Sequence, residues 1–365
     1  MTQFFESRLV GSLEKVFCRR TLDAEPVAGM SAAGGEVASF QVACRAEGNI
    51  WLSARVESDL LPNISVREVG LVPCELPAMP DDPNILSSEP GLYPDPLLPG
   101  DGLVRLSRRN WHALWVSVSV PEDLPPGPHV ITIRLSNVNV QHSQCEDFER
   151  VEKFTLEVLP FTLPEQELIH TQWFHADCLH THYKAECWGE RHWHLLEKYF
   201  RNMAEHGVNM LLTPLWTPPL DTAVGHERPT TQLLDVELRD GEFRFDFGRL
   251  LRWINLARSC GIKYFEMSHA FTQWGAHFTP KIMVRENGAE RRMFGWHVRA
   301  DSPLYRDFLA GLMPRLTGLL RDNGLSGRCF FHVSDEPTMA HLKSYGEAAA
   351  LLGSLAGDFP VIDAL

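Results

Sequence analysis

The chain has 365 residues, 44% of them hydrophobic and 22% charged, with a formal net charge of -13. That length and balance describe a globular protein of two domains with a sizeable core. The acid excess excludes a surface built for nucleic acid or an anionic membrane, because both need basic patches.

The N-terminal stretch Met1-Thr-Gln-Phe-Phe-Glu-Ser-Arg lacks the basic start and apolar core of a secretion signal. No apolar run approaches membrane-spanning length, and a cytoplasmic location is expected. The eight cysteines, at 18, 44, 74, 145, 178, 187, 260 and 329, include no CxxC pair. Buried reduced thiols are therefore expected rather than a disulfide framework.

Residues 1–164 read as an all-β sandwich domain, since short alternating runs recur between glycine and proline punctuation without an amphipathic helix. Val37 to Cys44, Leu114 to Val120, Val130 to Leu135 and Phe154 to Leu159 are its clearest strands. The proline-dense stretch Gly91 to Gly100 is expected to be a rigid loop, because its composition excludes a central strand.

From 165 to 365 strand alternates with helix, the pattern of a parallel α/β domain. Strands are expected at Ile169 to Phe174, Val208 to Thr213, Lys263 to Met267 and Cys329 to Val333. Helices are expected at Trp193 to His206, Phe247 to Cys260, Tyr305 to Leu320 and from Thr338 to about Leu352. Phe359-Pro-Val-Ile-Asp-Ala-Leu then reads as a fifth strand. About 200 residues follow Pro164, against roughly 250 for an eight-fold barrel. The pattern is that of a (β/α)8-type barrel truncated after about strand five, or of a complete five-stranded open sheet. As a barrel fragment the chain is expected to be poorly active and poorly soluble, with a parallel edge unpaired.

The organising stretch is Cys329-Phe-Phe-His-Val-Ser-Asp335-Glu336-Pro337, where a short buried strand ends in adjacent carboxylates. Such a position faces the carboxyl edge of a parallel sheet, where α/β enzymes hold their chemistry. Pro337 is expected to confine Glu336 to extended angles, with the two acids splaying at the strand's rim. The competing reading makes Asp335 a helix cap and Glu336 a partner of the helix dipole.

Around the other strand ends stand Trp173 and His175, then Trp216 and Asp221, then His269, Gln273 and Trp274. Aromatic faces that stack on sugar rings, beside groups that bond hydroxyls, suit a carbohydrate pocket, although each tryptophan could equally be core. The histidines at 170, 175, 180, 182, 192 and 194, with Cys178 and Cys187, match no metal signature. With GxSxG, GxGxxG and GxxxxGK[ST] all missing, neither a serine nucleophile nor a cofactor or metal is expected.

Several stretches together resemble the bacterial domain-of-unknown-function family 4091, which is similar to glycoside hydrolase family 123. They are Gly35-Glu-Val-Ala-Ser-Phe-Gln-Val, Tyr93-Pro-Asp-Pro-Leu-Leu-Pro, Thr217-Pro-Pro-Leu-Asp-Thr, Glu227-Arg-Pro-Thr-Thr-Gln, Gly261 to His269, Phe271-Thr-Gln-Trp-Gly and His332-Val-Ser-Asp-Glu-Pro. The resemblance implies a β-sandwich before a (β/α)8 barrel. It also implies a retaining exo-β-N-acetylhexosaminidase of the N-acetylgalactosaminide type, whose substrate's own 2-acetamido group is the nucleophile. Glu336 would then be the acid/base and Asp335 would orient the acetamide, with Asp335 ionised and Glu336 raised in pKa. Trp173, His175, Trp216, Asp221, His269, Gln273, Trp274 and His332 would surround the sugar. The alternative is an inactive carbohydrate-binding or structural protein.

Overall fold

The computed structural model describes residues 5–75, 83–138 and 147–363. Cys145 lies outside them. The chain divides into two compact units, Met1–Glu165 and Gln166–Leu365.

The first unit contains Phe5–Gly11 (β1), Gly29–Gly34 (β2), Val37–Ala46 (β3), Ile50–Glu57 (β4), Ile64–Cys74 (β5), Gly91–Pro99 (β6), Leu103–Leu106 (β7), Trp111–Ser119 (β8), Gly127–Val138 (β9) and Glu149–Thr162 (β10). They form two five-stranded sheets, in the orders β1-β3-β8-β5-β6 and β2-β10-β9-β4-β7. Alternation sets which side each residue takes. Val116 and Val118 of β8 are buried, while Ser117 turns to the other face and meets Ser39 at 3.1 Å. Phe40 of one sheet stacks on Phe154 of the other at 3.8 Å between centroids, within one shared core. The stretch expected as a loop, Gly91 to Gly100, is instead largely β6. It lies at a sheet edge, where a proline's missing N–H costs no ladder bond.

The second unit contains Ala176–His182 (α1), Glu190–Glu205 (α2), Met210–Thr213 (β11), Asp235–Arg239 (β12), Glu242–Asp246 (β13), Gly248–Ser259 (α3), Tyr264–Met267 (β14), Ile282–Glu286 (β15), Ala289–Phe294 (β16), Pro303–Asp322 (α4), Cys329–His332 (β17), Leu342–Ala356 (α5) and Val361–Ile362 (β18). A parallel sheet runs β11-β14-β17-β18. Its strands are mostly apolar because both faces are covered. The stripe of α3 buries Leu250, Trp253, Ile254 and Ala257, with Trp253 edge-on to Phe200 of α2 at 4.9 Å.

The expected strand Ile169 to Phe174 does not form as a strand. It meets the sheet through one parallel bridge, Thr171 to Met210, and side-chain bonds from Thr171 and Trp173 hold it thereafter. A second sheet, β13-β12-β15-β16, was not expected from the sequence. Its two hairpins turn at Asp240-Gly241 and Asn287-Gly288, all four at positive φ, as primed two-residue turns require. β12 belongs to the long connection after β11, and β15 to the one after β14. Their parallel pairing joins the two connections.

Candidate active site

β17 delivers its last residues to the carboxyl edge of the parallel sheet, and the connection after β14 runs beside them. The N–H groups of Ala270, Phe271 and Trp274 donate to the carbonyls of His332, Val333 and Asp335, each at 2.9 Å. A cleft of about 510 Å³ opens there, lined by Trp173, Asp221, Thr222, Ala223, Gln273, Trp274, Asp335 and Glu336.

Both acids face this one cleft because the backbone leaves strand geometry. Glu336 has φ 46°, in the left-handed region, not the extended conformation expected ahead of Pro337. Asp221 (φ 54°) and Trp274 (φ 57°) are held the same way. Each such residue stores about 1–3 kcal/mol unless its side chain tolerates the turn, and such strain gathers at functional sites. The capping alternative also gives way. Thr338 and His341 close the turn into the helix, with the Thr338 N–H donating to His341 Nδ1 at 3.2 Å.

The two acids differ in environment. Asp335 is buried at 8% exposure, whereas Glu336 is exposed. Burial first, then the charges of Glu336 and Asp363, push the Asp335 carboxyl up to about 6, against a smaller opposing effect from His332. The desolvation thus falls on Asp335, the acid nearer the floor. Trp274 Nε1 donates to Glu336 Oε2 at 3.3 Å.

Beneath the cleft lies Glu266 of β14, which the sequence reading did not single out. It is 1% exposed. Thr171 Oγ1 donates to its Oε2 and Trp173 Nε1 to its Oε1, both at 2.8 Å, and His332 Nε2 is in ion-pair contact with Oε1. Burial alone would raise this carboxyl, yet the bonds from His332, Thr171 and Trp173 together hold it below the usual range. The His269 ring lies against that of His332, 4.2 Å between centroids and tilted by 30°, and its complete burial, with the charge of His332, pushes it well below an ordinary histidine.

Of the residues singled out from sequence, Trp173, Asp221, Gln273, Trp274, Asp335 and Glu336 line the cleft. His175 stands behind it, bonded to Asp221 at 2.6 Å, and burial with the nearby Arg228 charge lowers its pKa. His269 and His332 lie under the floor rather than in the wall. Trp216 is corrected to a core residue, since it is 2% exposed, packs toward Phe308 and donates to the His269 carbonyl at 2.8 Å. Gln273 ties the walls together by donating to Thr222 O at 2.5 Å. Among the described residues no three His, Cys, Asp or Glu side chains are grouped to hold a metal. Nor is any helix among them long and apolar enough to cross a membrane.

A family model described as the catalytic domain of glycoside hydrolase 123 matches residues 173–365, more than half of the chain. A family 123 glycoside hydrolase from Clostridium perfringens, whose structure was analysed for glycolipid glycan hydrolysis, superposes with a TM-score of 0.73 at 13% identity. The match covers 99% of this chain and 64% of that one, and at such identity it shows the fold. The Escherichia coli chaperone DraB (TM-score 0.22, 9% identity, 42% of this chain and 54% of that) and the Pseudomonas aeruginosa CupB2 chaperone (0.21, 10%, 35% and 52%) are likenesses too slight to carry an argument. No curated protein matches the sequence.

Proposed function

Because the chain belongs to the glycoside hydrolase 123 family, we propose that it hydrolyses β-linked N-acetylhexosaminides, of the N-acetylgalactosaminide type, with retention of configuration. The parallel sheet is then part of a (β/α)8 barrel, with the cleft at its carboxyl edge. The observation that carries this reading is a pair of adjacent acids in one cleft, one sunk in its floor and one at its lip.

Two carboxylates from consecutive residues cannot stand on opposite faces of a sugar ring, as the usual two-acid glycosidase requires. They suit a reaction in which the substrate supplies the nucleophile. The 2-acetamido oxygen attacks the anomeric carbon, and the bond to the leaving oxygen breaks as Glu336 delivers its proton. Asp335 accepts the acetamide N–H and stabilises the positive charge that develops on the ring so formed. Water, deprotonated by Glu336, then attacks from the face the leaving group vacated, which restores the original configuration. The faces of Trp173 and Trp274 offer stacking surfaces for the sugar's C–H patches, while Asp221 and Gln273 offer partners for its hydroxyls.

Hydrolysis of aryl N-acetyl-β-galactosaminide and of the corresponding aryl β-galactoside tests the proposal. The acetamido sugar should be cleaved and its 2-hydroxy counterpart refused, and Glu336→Gln should lower turnover by about 10²–10⁴. Equal cleavage of both sugars, or turnover unchanged in Glu336→Gln, overturns it.

A further inference from the structure

We propose that Glu266 is a positioning residue: through its single oxygen Oε1 it fixes the Trp173 indole of the cleft wall to His332, at the end of the strand that leads to Asp335. This deepens the proposed glycosidase reading and rests on it. The first consideration is cost. A carboxylate at 1% exposure gives up several kcal/mol of hydration, which its partners must offset.

What the charge does is visible in its partners. Oε1 receives the Trp173 indole N–H at 2.8 Å and meets His332 Nε2, while Oε2 receives the Thr171 hydroxyl at 2.8 Å. The indole and imidazole are thereby held edge to face, 83° apart and 6.2 Å between centroids. Trp173 has no ladder to fix it, because residues around Thr171 meet the sheet at one bridge only. Its place in the cleft wall therefore depends on the Glu266 bond. His332, three residues ahead of Asp335, acts on the charge of that acid together with Glu336, Asp363 and Asp221. One buried oxygen thus sets both a stacking surface and part of the field at the floor acid.

A glutamine at 266 keeps the shape but removes the charge, so the bond from the Trp173 indole is no longer charge-assisted. In Glu266→Gln the KM for aryl N-acetyl-β-galactosaminide should rise roughly tenfold, the effect of losing one charge-assisted bond. Trp173→Phe, which removes the same N–H, should raise KM comparably, and the double variant should be no worse in KM than Glu266→Gln alone. The pH–rate profile should shift in Glu266→Gln and not in Trp173→Phe. Multiplicative KM effects, or a loss of thermal stability with KM and pH profile unmoved, overturn the inference.

A measurement without substrate separates this from the function itself. In protein labelled with 15N-tryptophan, the Trp173 indole signal, assigned by its loss in Trp173→Phe, should lie downfield and exchange slowly in the wild type. It should move upfield in Glu266→Gln. A Trp173 signal among those of solvent-exposed indoles overturns the positioning role even where Glu266→Gln does not fold. If no aryl glycoside is cleaved while the signal behaves as expected, the function falls and the positioning of Trp173 stands.

Discussion

Trp274 and Glu336 each hold a left-handed backbone and are joined by a hydrogen bond of 3.3 Å from the indole N–H to the carboxylate. The proposed stacking surface and the proposed acid are therefore oriented as a unit. Trp274→Phe keeps the aromatic face but releases Glu336. Its kcat on aryl N-acetyl-β-galactosaminide should fall by about twofold to tenfold, the worth of one exposed hydrogen bond, with KM little changed. Steady-state kinetics reads the two separately.

The acid itself should matter far more. Glu336→Gln retains a hydrogen-bonding side chain and loses the transferable proton, so kcat should drop by about 10²–10⁴. An aryl glycoside with a very acidic phenol needs less protonation, and its loss should be smaller. A comparison of two leaving groups measures this.

The strained backbone at Glu336 should be separable from its chemistry. Glu336→Gly adopts positive φ without a steric penalty, and relief of strain should outweigh glycine's added chain entropy by about 1 kcal/mol. Denaturant unfolding should show a more stable protein, and the hydrolysis assay an inactive one.

Asp335 predicts a pH dependence of stability. An unfolded aspartate titrates near 3.9 and the folded one at about 6, so the unfolded chain loses its proton first as pH rises. Stability should therefore fall between about pH 4 and 6 and remain at the lower level above. Asp335→Asn removes the penalty. It should be more stable than wild type by about 1–2 kcal/mol at pH 7, discounted because the carboxyl borders an open cleft, and equal to it at pH 4. Unfolding curves at the two pH values supply the test.

Gln232 offers a test of the second sheet. Its side chain donates to the carbonyls of Leu234 and Met283 and accepts from the Met283 N–H. Gln232→Leu leaves those buried groups unpaired and should cost about 2–4 kcal/mol. Because the contact joins the two cleft-bearing connections, KM should rise as well.

The parallel strands were legible because their apolar runs are short and punctuated, and their ends brought Asp335, Glu336, Gln273 and Trp274 to one edge. Trp216 misled because an indole after a strand looks the same in sequence whether it faces a ligand or Phe308. Glu266 was hidden inside an apolar strand, where nothing local distinguishes a buried carboxylate from an error of pattern; only its three partners from elsewhere in the chain reveal it. The second sheet had a readable signal in Asp240-Gly241 and Asn287-Gly288, each flanked by alternating residues. The conformation at Glu336 was unreadable, since the residue before a proline normally avoids it.

The pairing of β12 with β15 bears on how a sugar gets in. Asp221 and Trp274 stand on separate connections, but that pairing and the Gln273 bond to Thr222 stitch those connections together. Movement of either side alone would have to break that pairing and that bond. On the proposed reading, selectivity for the sugar would be set more by what fits this braced mouth than by closure around what has already bound.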